Sequence, residues 1–373
     1  MSDQQFRPAH SAFDESPEVK EAAALSLAGK RLDRAAAEAL YYGASLHTLA
    51  RLAHAMRLRL HPQPIVTYVG DRNINYSNVC VCACRFCAFF RAPESGEGYV
   101  ITREEMARKI DETLRLGGTQ ILLQGGHHPD LPLEWYEDLL RWMRATWPGL
   151  HIHAFSPPEI FFWSQKFGLS VDEVISRLRA AGLDSIPGGG AEIFDEEIRA
   201  RICPDKGSTA EWLAVHEAAH RLGIKTNATI LYGHIEGVEH RIDHLDRLRA
   251  LQDRTGGFNA FIPLKYRNYG NAMSEVGEVS VIEDLRMLAM SRIYLDNIPH
   301  VKAYWVMYGK ATTELALAFG ADDIDGTIDD TTKIYSMAGA DDRRPRMTAD
   351  EMRTIVRHAG LRAVERDTLY NEL

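Results

Sequence analysis

From about residue 65 the sequence switches period repeatedly, and that alternation restricts the fold more than any other feature. Short apolar runs bounded by Gly or Pro are separated by longer amphipathic stretches. The runs are "PIVTYVG", "TQILLQGG", "HIHAFSPP", "GLDSIPGGG", "TNATILYGH", "FNAFIPL", "HVKAYWVM" and "DDIDGTI". Several stretches between them open on capping residues. Thr102 with Glu105, and Ser208 with Glu211, have capping-box spacing. Strand–helix alternation of this kind predicts a parallel sheet with helices outside it. About eight such units in ~300 residues fit a (β/α)8 TIM-type barrel better than an open doubly wound sheet. The expected organisation is an α/β barrel over residues 65–335, an N-terminal helical extension over 1–64 and a C-terminal helical tail over 336–373. In the extension, Ser16-Pro17-Glu18 supplies an N-cap followed by proline, Gly29 a stop, and "SLHTLARLAHAMRLRL" helical spacing.

Barrels of this kind carry their chemistry at the C-terminal ends of the strands. Those ends read Gln124-Gly125-Gly126-His127-His128, Ser156-Pro157-Pro158-Glu159, Pro187 to Glu192, Tyr232 to Glu236 and Lys265-Tyr266-Arg267. They are polar and rich in glycine, as a ligand site requires. The chain of 373 residues carries a net charge of −9 with no lysine or arginine block, which argues against nucleic-acid binding. No apolar run approaches the ~20 residues of a membrane span. The opening MSDQQFRPAH has no secretion pattern, so a cytoplasmic location is expected.

Four of the five cysteines sit in "NVCVCACRFCAFF", residues 78–90. They are too close to staple distant segments, so metal binding or redox chemistry is the reading. Cys80, Cys84 and Cys87 have the spacing C-x3-C-x2-C. A structural zinc site needs four ligands, usually as two separated pairs, and no second pair exists. An electron-transfer [4Fe–4S] centre uses four cysteines. Three leave one iron open to an external molecule, which is a catalytic arrangement. Cys82, two residues from both Cys80 and Cys84, reads as a small filler pointing away, and Cys203 as structural. The competing class is a non-catalytic iron–sulfur or zinc protein, which predicts four protein ligands.

The cysteine pattern, with aromatic Phe86 before the last cysteine, resembles the radical S-adenosylmethionine (SAM) superfamily. The resemblance implies a [4Fe–4S] cluster on Cys80, Cys84 and Cys87 whose open iron chelates SAM. Reductive cleavage then gives a 5′-deoxyadenosyl radical. It also implies a reducing electron donor of flavodoxin or ferredoxin type and a small-molecule substrate; the oligomeric state stays open. "DRNINYSNVC", "GGTQILLQGGHHPDLPLEWYEDL", "SPPEI" and "GLDSIPGGGAEI" resemble the branch that holds the second subunit of FO synthase and two futalosine-route enzymes of menaquinone biosynthesis. Residues 61–190 look more like the dehypoxanthine futalosine cyclase family. From about residue 191, "EIFDEEIRARICPDK", "TNATILYGHIE", "HVKAYWVM" and "VERDTLYNEL" look more like the aminodeoxyfutalosine synthases. Later strands of such barrels usually face the substrate, so the synthase activity is expected and the cyclase is the alternative.

The resemblance also assigns site residues. Phe86 packs near the adenine. Gly125 and Gly126, preceded by Gln124, correspond to the glycine-rich motif that meets the methionine amino group. Gly189 and Gly190 allow close backbone approach. Ser156 is expected to face the same cofactor. Glu192 is expected to bond ribose hydroxyls or the amino group. Glu159 either reaches the nucleoside or caps the next helix. His127, His128 and His234, at strand ends, are candidates for moving protons. Either substrate carries a benzoate-type carboxylate, for which Lys265, Arg267 and Lys302 offer charge. Lys302, in an apolar run, needs a partner such as Asp322, Asp323 or Asp325. His216, His220, His240 and His244 have helical spacing and read as helix-surface residues.

Overall fold

The computed structural model describes residues 15–326 and 346–373, with Met337 and Gly339 between them. The opening stretch MSDQQFRPAH and the expected boundary at 335/336 lie outside the described residues. Among the described residues nine strands follow in chain order: β1 (Ile65–Tyr68), β2 (Asp71–Asn75), β3 (Gln120–Gln124), β4 (His151–Ala154), β5 (Thr226–Tyr232), β6 (Phe258–Lys265), β7 (His300–Tyr304), β8 (Asp323–Asp325) and β9 (Arg362–Glu365). All pair in parallel, in two arcs ordered β2-β3-β4 and β5-β6-β7-β8-β1-β9. Ser185 bridges His153 and Ile186 bridges Thr226, which links the arcs. The apolar run "GLDSIPGGG" therefore contributes two bridging residues rather than a full strand. Its glycines and proline leave little chain able to keep a ladder.

Before the barrel come three helices, Pro17–Leu27, Arg34–Gly43 and Leu46–Leu60, capped by Ser16, Asp33 and Ser45. The expected helical tail holds the helix Ala349–His358 and then β9, which extends the sheet beyond β1. Alternation in "LRAVER" is too short to announce a strand. Register against β1 is supplied by the tertiary fold.

β2 was not legible as a strand, because Asp-Arg-Asn-Ile-Asn has no apolar face. Its period of two is nonetheless obeyed. Asp71 and Asn73 line the barrel interior, whereas Arg72 turns outward to donate to the Lys109 carbonyl and Glu112, each at 3.0 Å. Across the seam between β2–β3 and β8–β1, a side chain from the C-terminal segment makes the connection. Thr368 donates to the Gln120 side chain on β3, while within the second arc Arg366, just past β9, grips Asp323 of β8 with two nitrogens, at 2.7 and 2.5 Å.

The histidines expected on helix surfaces face inward. His216 and His244 are fully buried. His216 and His220 meet the Thr226 hydroxyl at 2.9 and 2.8 Å, and His244 meets the Thr229 carbonyl at 2.8 Å. The helices Thr209–Arg221 and Val238–Thr255 turn those faces onto β5; His240, half-exposed, stays at a helix start. No helix among the described residues is long and apolar enough to cross a membrane.

Candidate active site

β2 ends at Asn75 and runs directly into the cysteine loop, so the strand fixes where the thiols begin. Cys80, Cys84 and Cys87 line one cavity of about 760 Å³ together with Phe86, Gln124 to His127, Ser156, Glu159, Gly189, Gly190 and Lys206. Glycine is needed where these loops close on each other. A Cβ on Gly126 would stand 2.1 Å from the Val79 carbonyl oxygen, and one on Gly190 (φ +85°) 2.3 Å from Pro158 Cγ.

The three thiols differ in environment. The Cys80 sulfur accepts backbone N–H groups of His127 (3.3 Å) and Cys82 (3.4 Å). A side-chain bond from Cys82 first, then those N–H groups, pull its pKa down to about 6. Burial pushes Cys84 and Cys87 up. Cys82 does not point away as expected: it is buried, lines the same cavity, and its sulfur lies 3.0 Å from the Asp205 carbonyl oxygen and 3.2 Å from His127 Nδ1. Three soft thiol donors on one wall are a donor set suited to an iron–sulfur cluster.

Lys206 was missed by sequence reasoning; its only signal is a lysine directly after Cys203-Pro204-Asp205. Its ammonium lies 2.6 Å from Glu192 Oε1 and 5.5 Å above the centre of the Phe86 ring. Glu192 itself holds φ +47° and its carbonyl accepts the Leu231 N–H at 2.8 Å.

Glu159 takes the capping role. It is fully buried, and its two oxygens accept the Tyr76 hydroxyl (2.7 Å), the Gly125 N–H (3.2 Å), and the Ser156 N–H (2.7 Å) and hydroxyl (2.6 Å). Burial nevertheless raises it to about 7. Of the three candidate proton-moving histidines, only His127 lines a cavity. Its ring stacks on Phe162 with centroids 5.0 Å apart, and burial holds it down to about 3, so it is neutral. His128 Nδ1 accepts the Asp130 N–H at 3.1 Å. His234 is wholly buried between the Leu231 carbonyl (3.1 Å) and Glu236 (3.0 Å). The turn Gly233–Glu236 rotates it away from the barrel mouth, and neither cavity includes it.

A second cavity of about 1290 Å³ continues into the barrel, sharing Phe86, Gln124 and Gly189 with the first. Lys265, Arg267 and Lys302 all line it, and each is already engaged. Lys265 pairs with Asp284 at 2.9 Å. Arg267 donates to the Gly339 carbonyl at 2.6 Å and lies 3.3 Å from Glu278. Lys302 pairs with Asp325, with Asp323 at 4.0 Å; Asp322 turns instead to His300. Asp71, His153, Asn227 and Thr368 also line this cavity. They escaped the sequence reading because isolated polar residues, three inside strands and Thr368 in the turn after β9, carry no motif.

The comparisons agree with this geometry. Residues 74–248 match the radical SAM superfamily model, and residues 255–373 match the CofH/MqnC C-terminal region. A cyclic dehypoxanthine futalosine synthase of Streptomyces coelicolor is 41% identical over 93% of this chain and 86% of its own length. An aminodeoxyfutalosine synthase of Thermus thermophilus is 41% identical over 92% of this chain and 93% of its own. Among solved structures, the [FeFe]-hydrogenase maturase HydG superposes with TM-score 0.72 at 14% identity, covering 94% of this chain and 75% of that one. Barrel, thiol-lined cavity and relatives converge: the chain belongs to the radical SAM superfamily, in the branch that carries the CofH/MqnC C-terminal region.

Proposed function

We propose that this chain is an aminodeoxyfutalosine synthase, which adds the 5′-deoxyadenosyl group of SAM to the enol-ether double bond of 3-[(1-carboxyvinyl)oxy]benzoate in menaquinone biosynthesis. Members of the superfamily use a [4Fe–4S] cluster and SAM. Cys80, Cys84 and Cys87 are the thiols that would hold the cluster. Phe86, Ser156 and the glycine pairs at 125–126 and 189–190 would receive SAM, with Glu192 taking its polar groups. When bound, cluster and SAM supply a carbon-centred radical; the chain supplies placement and exclusion of water. His127, neutral and stacked, shapes the cavity wall and is placed to orient Cys80 through its own backbone N–H. A low-potential donor of flavodoxin or ferredoxin type would provide the electron.

The observation that carries the choice of substrate is the division of labour between the cavities. The thiol-lined cavity draws every lining residue from 75–206, whereas the deep cavity draws more than half from 227–368. A substrate seated deep in the barrel is therefore read largely by the segment that resembles the synthases. The second reading, the cyclase, is favoured by residues 61–190, which resemble that family.

Product analysis tests the choice. Reduced, reconstituted protein is incubated with SAM and either candidate substrate. An adduct that retains adenine supports the synthase. Free 5′-deoxyadenosine with a cyclised product supports the cyclase.

A further inference from the structure

Barrels of this class usually fill their interior with layers of branched apolar side chains. Here the lower layers are polar: Asp71, Gln120, His153, Asn227 and Lys302 line the deep end of the 1290 Å³ cavity. Groups of this kind are costly to bury unless matched by each other or by a ligand. Part of the match is internal. His151 Nε2 meets Ser185 Oγ at 2.7 Å, Ser185 Oγ meets His153 Nδ1 at 2.6 Å, and the Asn227 side-chain nitrogen meets His153 Nε2 at 3.2 Å. Thr368 donates to Gln120, which donates to Asp71 at 3.1 Å.

The chain of contacts fixes orientation. Burial holds the His153 ring uncharged, so its Nε2 is an acceptor for the Asn227 amide. That uses one of the two Asn227 N–H donors and leaves the other for the cavity. Lys302 adds a positive charge with three donors, of which the carboxylate pair on β8 takes only part. Above this floor the wall is apolar, with Leu122, Leu231, Ile262 and Leu264, a slot for a flat ring. Above that again, Phe86, Gln124 and Gly189 border the thiol-lined cavity.

We infer that the deep end of the barrel is a carboxylate-recognition subsite, in which Asn227, aligned by His153, and Lys302 receive the acid group of an aromatic substrate whose reacting end points up toward the cysteines. The inference deepens the proposed function and rests on its premise of an aromatic acid substrate. It reassigns the rim cations. Lys265 ends β6 and Arg267 follows it, at the strand end that faces the cavity mouth rather than the floor that holds Asn227 and Lys302, so both shape the mouth without taking the acid.

The test is equilibrium binding to the anaerobically reconstituted full chain with SAM present, using 3-hydroxybenzoate and its neutral analogue 3-hydroxybenzamide as probes. Wild type is expected to prefer the acid at least tenfold. Asn227→Leu and His153→Phe are expected to lose tenfold or more of acid affinity while leaving amide affinity within threefold. Arg267→Gln is expected to change acid affinity less than threefold. Iron content and circular dichroism verify folding; if His153→Phe does not assemble, Asn227→Leu decides alone. Unchanged acid binding in Asn227→Leu, loss of the acid preference in Arg267→Gln, or a wild type that does not distinguish acid from amide overturns the subsite. Turnover reads the proposed function separately. A wild type that shows the acid preference but converts neither candidate substrate keeps the subsite and removes the synthase assignment.

Discussion

Glu192 and Lys206 meet at 2.6 Å, the carboxylate on the wall of the deep cavity and the ammonium on the wall of the thiol-lined one. The pair joins the two chambers, and its acid is held by a backbone at φ +47° that ordinary residues avoid. Glu192→Gln keeps the shape and removes the charge. It is expected to weaken SAM binding about tenfold, the effect of one lost hydrogen bond to a charged group, measured by equilibrium dialysis on reconstituted protein. Lys206→Met strands the carboxylate and is expected to cost about 3 kcal/mol in denaturant unfolding.

The thiols separate into two classes. Cys84→Ala, at the centre of the proposed ligand set, is expected to abolish iron and sulfide retention after anaerobic reconstitution. Cys82→Ala is expected to keep both, because Cys82 lies outside the C-x3-C-x2-C set; loss of its buried contact with the Asp205 carbonyl costs about 1 kcal/mol of stability. Loss of the cluster in Cys82→Ala, or one zinc per chain in the wild type, would return the protein to the non-catalytic class.

Glu159 gives a pH signature. Its folded pKa of about 7 lies above the ordinary value of about 4.3 for an unfolded glutamate. The folded state therefore holds a proton that the unfolded state has released. Its contribution to stability is full below about pH 4.3 and is lost as pH rises to about 7. The loss amounts to at most about 4 kcal/mol. Unfolding curves at several pH values should show that decline in wild type and not in Glu159→Gln. The variant should also be less stable at low pH by about 1–3 kcal/mol, because its amide faces the N–H groups of Gly125 and Ser156.

Arg366 and Asp323 form a buried two-point contact between the segment after β9 and β8. Arg366→Met is expected to destabilise by about 3–5 kcal/mol, since it leaves a buried carboxylate without its counter-charge. Arg366→Lys restores charge but not the fork and should fall between the two. Thermal melts of the three proteins settle the order.

Much of this was readable in the residues. Apolar runs at strand spacing announced the parallel arcs, and capping pairs such as Ser208 with Glu211 marked helix starts that the structure retains. The cysteine spacing placed the thiol wall. Illegible parts share one cause: the sequence shows hydrophobic periodicity, and the inner wall here is polar. Asp71, Asn73 and Asn75 look like loop residues yet form a strand. His153 and Asn227 lie inside strands that read simply as apolar runs. His216 and His244 looked solvated because a helix can bury a histidine when a threonine or a carbonyl across the sheet bonds it, and that partner is distant in sequence. Glu159, read as either ligand or cap, was decided by four donors gathered from three segments.

β1 is flanked by β8 on one side and β9 on the other, so both of its neighbours are made long after it leaves the ribosome. Until then the strand has two open edges. Folding must therefore wait on contacts of high sequence separation, a slow route that leaves sticky edges exposed.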